Sequence, residues 1–155
     1  MASFNELEYD KRTELLHIGA GCILHEVDMA LQAPDINRFI VDSSPDLRVG
    51  VSGFLLGGGY SLYTNEHGLG IDNIVEVEMV LPTGEICVAS SKEQPELFFA
   101  VKVRMNSEVI VLLIQKQGGG NNFGVVTSFT VKTHPRKKAY VRICLYRANI
   151  LPSNL

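Results

Sequence analysis

Apolar residues along this chain follow two periods, and the places where one gives way to the other mark its elements. Residues 15–18 form a short apolar run ending in Gly19-Ala20-Gly21, after which Ile23, Leu24, Val27, Ala30 and Leu31 recur at helical spacing up to Pro34. A strand, a glycine turn and a helix are predicted there. Between 42 and 61 glycine separates single apolar residues, which predicts loop with short strands in place of a helix. At 74–81 Val75, Val77 and Met79 alternate with Glu76 and Glu78, the mark of a strand with one wet face. Pro82-Thr83-Gly84-Glu85 is turn chemistry, and 86–89 is the returning strand of a hairpin. Pro95 opens a short helix through Leu97, Phe98, Phe99 and Ala100, with both phenylalanines expected in its core. A second glycine loop over 118–124 leads into an alternating strand at 125–133, which Pro135 ends. Hairpins interleaved with helices predict an α+β domain with a mainly antiparallel sheet flanked by helices.

Composition narrows the class. With 155 residues, 46% hydrophobic and 20% charged, the chain can bury one core without disulfide staples. The 14 basic and 17 acidic residues leave a net charge of −3, so no cationic face for nucleic acid is expected. No apolar run reaches the ~18 residues of a membrane span, and residues 1–14 lack the apolar centre of an export signal, which leaves localisation open. Cys22, Cys87 and Cys144 stand apart with no CxxC spacing and read as buried thiols, with no metal site. His17, His25, His67 and His134 show no ligand spacing and read as surface or capping residues. The basic run 132–138 reads as a solvated turn, and Glu76 and Glu78 as a wet strand face without a partner for acid–base work.

The candidate chemistry lies in glycine. Ser52-Gly53 with Gly57-Gly58-Gly59, and Gly118-Gly119-Gly120 with Gly124, leave main-chain N–H groups uncovered where a phosphate could approach. Such clusters also serve tight turns and close packing, and on pattern alone both readings stand. Neither loop has the GxxxxGK[ST] order of a P-loop. Gly19-Ala20-Gly21 follows a strand, opens a helix and precedes Asp42 by about 20 positions, as in a Rossmann fingerprint, but Leu24 occupies the third glycine position, so this reading is a minor alternative.

Taken together and in order, the motifs carry a resemblance. Residues 49–61 (VGVSGFLLGGGYS), Gly68-Leu69 with Asp72-Asn73, the Val/Glu strand, Leu81-Pro82-x-Gly84, residues 95–100 (PELFFA) and residues 118–127 (GGGNNFGVVT) resemble the second FAD-binding subdomain of PCMH-type flavoproteins in the vanillyl-alcohol-oxidase superfamily. The resemblance runs from about residue 18 to 135 and is strongest to fungal berberine-bridge-enzyme-like oxidoreductases. It implies that Val49, Gly50 and Gly53, and then Gly57, Gly58, Gly59, Tyr60 and Ser61, lie along the diphosphate and ribityl chain of FAD. Gly68, Leu69, Asp72 and Asn73 match the turn that closes over the cofactor, where Asp72 is expected to cap main chain and not to act as a base. Gly120, Asn122, Phe123, Gly124 and Val126 match the loop and strand beside the flavin, with the Val126 main chain facing adenine. The two glycine stretches are thus expected to converge on one pyrophosphate.

The resemblance also marks departures. Nothing before Leu15 matches the relatives' first FAD subdomain with its flavin-linking histidine, and Asp46 stands where many relatives have a flavin-linking cysteine, so any FAD held through this chain is non-covalent. The substrate subdomain is unmatched, and no catalytic residue is assigned. Residues 1–135 read as a partial FAD-binding domain, 136–155 as the start of a following region, and 103–117 as an insertion, either a surface loop or a retained intron. The implied function is the FAD-binding part of an oxidoreductase acting on a small alcohol, amine or secondary metabolite; the alternative is a remnant or binding module that holds no flavin. An exposed apolar patch is expected around Phe54, Leu55 and Leu56.

Overall fold

The computed structural model describes residues 4–41, 48–102 and 123–137. Its strands are β1 (Leu7–Asp10), β2 (Leu15–Gly19), β3 (Arg38–Phe39), β4 (Ile74–Val80), β5 (Ile86–Ser90), β6 (Val125–Lys132) and β7 (His134–Pro135). The helices are α1 (Leu24–Leu31), α2 (Val51–Leu56), α3 (Thr64–His67) and α4 (Pro95–Val101). Among the described residues, five strands form one sheet in the order β1-β2-β6-β4-β5, every neighbour antiparallel, and β3 pairs β7 in a separate ribbon. The α+β class and the antiparallel sheet are as the sequence predicts.

Alternation decides which sheet face is covered. Leu16, Ile18, Val77, Met79, Ala89, Phe129 and Val131 turn to one side and share a core with Leu24, Val27 and Leu31 of α1, Val51, Leu55 and Leu56 of α2, and Phe98 and Val101 of α4. On the other side His17, Thr130, Glu76 and Ser90 lie in one cross-strand row, and Gly19, Ser128 and Glu78 in the next. The central strand β6 carries an extra residue, Thr127, where Glu78 pairs Ser128 while Met79 pairs Val126. This bulge returns the alternation to register with the core.

Three expectations are corrected. Residues 51–56 are helix, not loop. Val51, Leu55 and Leu56 are buried, each worth about 1.5–3 kcal/mol, which outweighs the cost of about 1 kcal/mol for Gly53 in a helix. Tertiary hydrogen bonds hold this short helix in place: the Val51 N–H donates to the Cys22 carbonyl at 2.9 Å, and the Ser52 hydroxyl to the Ala20 carbonyl at 2.6 Å. The apolar patch expected at Phe54, Leu55 and Leu56 is therefore largely covered, and the exposed apolar groups nearby are Tyr60 and Leu62. Phe98 is buried but Phe99 is 73% exposed, since adjacent residues cannot share one helix face. The structure also adds strand β1, for which the sequence pattern predicts no element; its Leu7 and Tyr9 are half-buried while Glu8 and Asp10 face water.

The Rossmann alternative fails on the fate of its amides. Gly19 N–H donates to the Glu6 carbonyl, Ala20 N–H to Thr127 and Gly21 N–H to Phe4, all within 2.8 Å. No N–H of that turn is left for a phosphate. A Cβ on Gly19 would stand 2.3 Å from the Phe4 carbonyl oxygen, so glycine is there to let the lead into β1 cross over.

Candidate functional site

The glycines of the 49–73 region fall into two kinds. At Gly50, Gly53 and Gly58 an added Cβ would meet nothing within 4 Å. Gly50, Gly53 and Gly57 recur at three and four residues, which places them on one side of α2, and all three are exposed. The outward side of α2 is therefore bare main chain, continued by Gly58 at φ 105°. By contrast, Gly59 packs its Cα region on Gly70, where a Cβ would come within 2.9 Å of main chain, and its carbonyl accepts the Gly70 N–H at 2.8 Å. The Gly58 carbonyl accepts the Ile71 N–H at 3.1 Å. These two bonds fasten the 57–61 segment to the 3-10 turn at Gly70–Asn73.

That turn is built by its polar side chains. Asp72 Oδ2 accepts the Leu69 N–H at 3.0 Å, the capping role expected for it. Gly68 has φ 77° and its Cβ position lies 3.0 Å from the same carboxylate oxygen, so only glycine suits it. Asn73 is buried, with its Nδ2 donating to the carbonyls of His67 (3.0 Å) and Leu69 (2.8 Å). Its Oδ1 then accepts from His134 Nε2 at 2.9 Å, which assigns the proton of neutral His134 to Nε2. Asn73 is thus a pin between two segments, with its amide already satisfied by protein groups.

His134 stacks on His67 with ring centroids 4.0 Å apart, and Phe39 lies 5.7 Å from each and 4.6 Å from Tyr63. Burial, reinforced by His67, Arg38 and Lys132, lowers the His134 pKa from 6.5 to about 4. Sequence spacing could not reveal this pair, because 67 residues separate the two histidines and only the β3–β7 ribbon brings them together. The basic run is a paired turn: Lys137 bonds Glu66 at 2.8 Å, and Arg136 bonds both Asp28 and the Arg38 carbonyl.

Not all expected site residues gather here. The Val49 carbonyl accepts the Leu24 N–H at the start of α1, Ser61 is buried, and Tyr60 is 76% exposed at the end of the glycine face. Phe123, Gly124 and Val126 belong to the other end of β4: a Cβ on Gly124 would stand 2.4 Å from the Val80 carbonyl oxygen, and Val126 pairs Met79 on the core side. The 57–61 segment is fastened just ahead of the first residue of β4 and Gly124 sits on its last, so the described parts of the two glycine stretches flank opposite ends of a strand about 20 Å long. The expected convergence on one pyrophosphate is therefore corrected for the described residues, since a pyrophosphate is far shorter than the strand between them. Gly120 and Asn122 fall outside the described residues, as do Asp46, Cys144 and the suspected insertion at 103–117.

Residues 1–90 match the family described as the FAD binding domain. The chain belongs to that family. Among curated relatives, the FAD-linked oxidoreductase pgmH of Aspergillus terreus is 28% identical over 146 residues, 94% of this chain and 26% of the relative. The FAD-dependent monooxygenase prx3 of Penicillium roqueforti is 33% identical over 132 residues, 84% of this chain and 22% of the relative. The solved structure of BBE-like 1 from Physcomitrella patens superposes with TM-score 0.71 at 28% identity, over 87% of this chain and 26% of that one. The chain thus spans about a quarter of the length of the relatives it matches. FAD is the cofactor of this domain, and the PCMH-type, berberine-bridge-enzyme-like fold expected from the motifs is the fold it has. The residues present fit that group: exposed main chain on α2 with no Cβ in the way offers close approach to a phosphate-bearing chain.

Proposed function

We propose that this FAD-binding domain serves an oxidoreductase that oxidises a small alcohol, amine or secondary metabolite, and that the glycine face of α2 through Gly58 is where its main chain meets the cofactor. The supporting relatives are FAD-linked oxidoreductases and monooxygenases by name. The observation that carries the site is the open space at Gly50 and Gly53, where no atom of the described residues lies within 4 Å of an added Cβ, continued by the open space at Gly58. Glycine on an exposed helix face costs stability and gains nothing from the protein around it, so its role is the approach of something else. Bound there, FAD would supply the hydride-accepting chemistry of such an oxidoreductase. The chain's own part is positional. Asn73 and Asp72 fix the 3-10 turn, the turn fixes Gly58 and Gly59, and the α2 side chains anchored in the core hold the bare face outward.

Substituting Gly53→Leu tests this directly. The added side chain meets open space in the protein, so folding is retained, while a ligand lying on the glycine face is displaced. Titration with FAD, followed by flavin fluorescence, should show affinity weakened at least about tenfold, equivalent to ~1.4 kcal/mol. Unchanged affinity in a folded Gly53→Leu protein removes the glycine face from the site.

A further inference from the structure

On the sheet face turned away from the helices lies a groove of about 290 Å³, small for a ligand site but sufficient for one compact molecule. We propose that it is a second site, for a small organic ammonium ion. Gly19 and Ser128, paired across β2 and β6, form its floor. Ser128 is only 7% exposed, and its hydroxyl has no hydrogen-bond partner among the described residues although it lines the groove. A hydroxyl so placed favours a polar occupant.

The walls set the sign of the charge. Glu78 Oε1 accepts the Thr127 hydroxyl at 2.6 Å, which fixes the carboxylate and leaves Oε2 without a donor among the described residues. Glu6, an exposed residue, also lines the groove, and its carbonyl accepts the Gly19 N–H at 2.8 Å. The one basic side chain among the described lining residues is His17, against Glu6 and Glu78, with no lysine or arginine. Two carboxylates repel an anion, and the described His, Cys, Asp and Glu residues supply no cluster able to hold a metal ion. An ammonium group answers all three features: its N–H donors suit Glu78 Oε2, Glu6 and the Ser128 hydroxyl. Phe4, an exposed aromatic, also lines the groove and supplies apolar surface for a stem attached to the cation. The groove uses none of the residues assigned to FAD, so its fate is independent of that assignment.

The test is an amide NMR titration of the isotope-labelled full chain with benzylammonium, using benzyl alcohol and phenylpropionate as neutral and anionic probes. Expected are saturable shifts centred on Gly19, Thr127 and Ser128 with benzylammonium alone, with affinity reduced about tenfold in Glu78→Gln. Ser128→Ala, which keeps the strand intact, should weaken binding less. The proposal is overturned if benzylammonium gives no saturable shift, if benzyl alcohol binds the same amides equally well, or if neither variant alters the affinity.

Discussion

At Gly50, Gly53 and Gly58 a methyl group would meet open space, whereas at Gly19, Gly59 and Gly124 it would come within 2.9 Å of main chain. Both sets lie in glycine-rich stretches, and nothing in their local sequence separates them. The second set is explained inside the molecule: Gly19 lets the lead into β1 pass, Gly59 lets two turns touch, and Gly124 lies against the end of β4. In the first set Gly58 has its own reason in a φ of 105°, whereas Gly50 and Gly53 have no positive φ and lie on one side of α2. The contrast supports the proposed site, because a glycine that the surrounding protein does not require leaves main chain open to an approaching ligand.

The largest effect should come from filling the packed set. Gly124→Ala puts a Cβ 2.4 Å from the Val80 carbonyl oxygen and 2.9 Å from Met79 Cε, at a strand end where the β4 and β6 main chains must part. A loss of about 3 kcal/mol is expected, read as a lower urea midpoint, because main chain cannot step aside as a flexible side chain can. Wild-type stability in this variant would erase the distinction between the two sets.

How much of this was legible in the sequence follows from what each feature depends on. The β4–β5 hairpin was legible because Val77 and Met79 alternate with glutamates and the Pro-Thr-Gly turn closes it, all within a few residues. Strand β1 was not, since an edge strand needs only Leu7 and Tyr9 on its inner side and its charges look like solvated loop. Helix α2 was hidden by its glycines, and its stability comes from burial and from bonds to Ala20 and Cys22, some 30 residues away. The family motifs pointed to the 49–73 segment of chain. Which glycines in it are packed and which are bare depends on Gly70 and Phe54 reaching Gly59, and no local pattern encodes that.

The His67–His134 stack offers an intermediate effect, because it ties the turn beneath the bare glycines to the β3–β7 ribbon. The folded pKa of His134, about 4, lies below its ordinary 6.5, so the native state resists the proton that the unfolded chain accepts. Stability is complete above pH 6.5, falls as pH drops from there toward 4, and loses nothing further from this group below that. After allowance for the partial exposure of the ring, the loss is about 1–2 kcal/mol. Melting curves between pH 7.5 and 5, within about the range where carboxylates remain ionised, should show it. His134→Gln keeps a donor toward Asn73 and should flatten the dependence; an equally steep profile in that variant would place the titration elsewhere.

The smallest effect is the one that divides the two sets most cleanly. Gly53→Ala adds one methyl group to the outward side of α2, where no protein atom lies within 4 Å of it. Helix propensity then favours the variant by about 0.5–1 kcal/mol, and thermal melting without FAD should rise by a few degrees. The same methyl group stands where the cofactor main-chain contact is assigned, so the stabilisation conferred by added FAD should shrink in the same protein. Opposite signs for one substitution, more stable without ligand and less stabilised by it, cannot arise from damage to the fold. A Gly53→Ala protein that gains stability and keeps the full FAD-dependent rise would show that this glycine faces solvent alone.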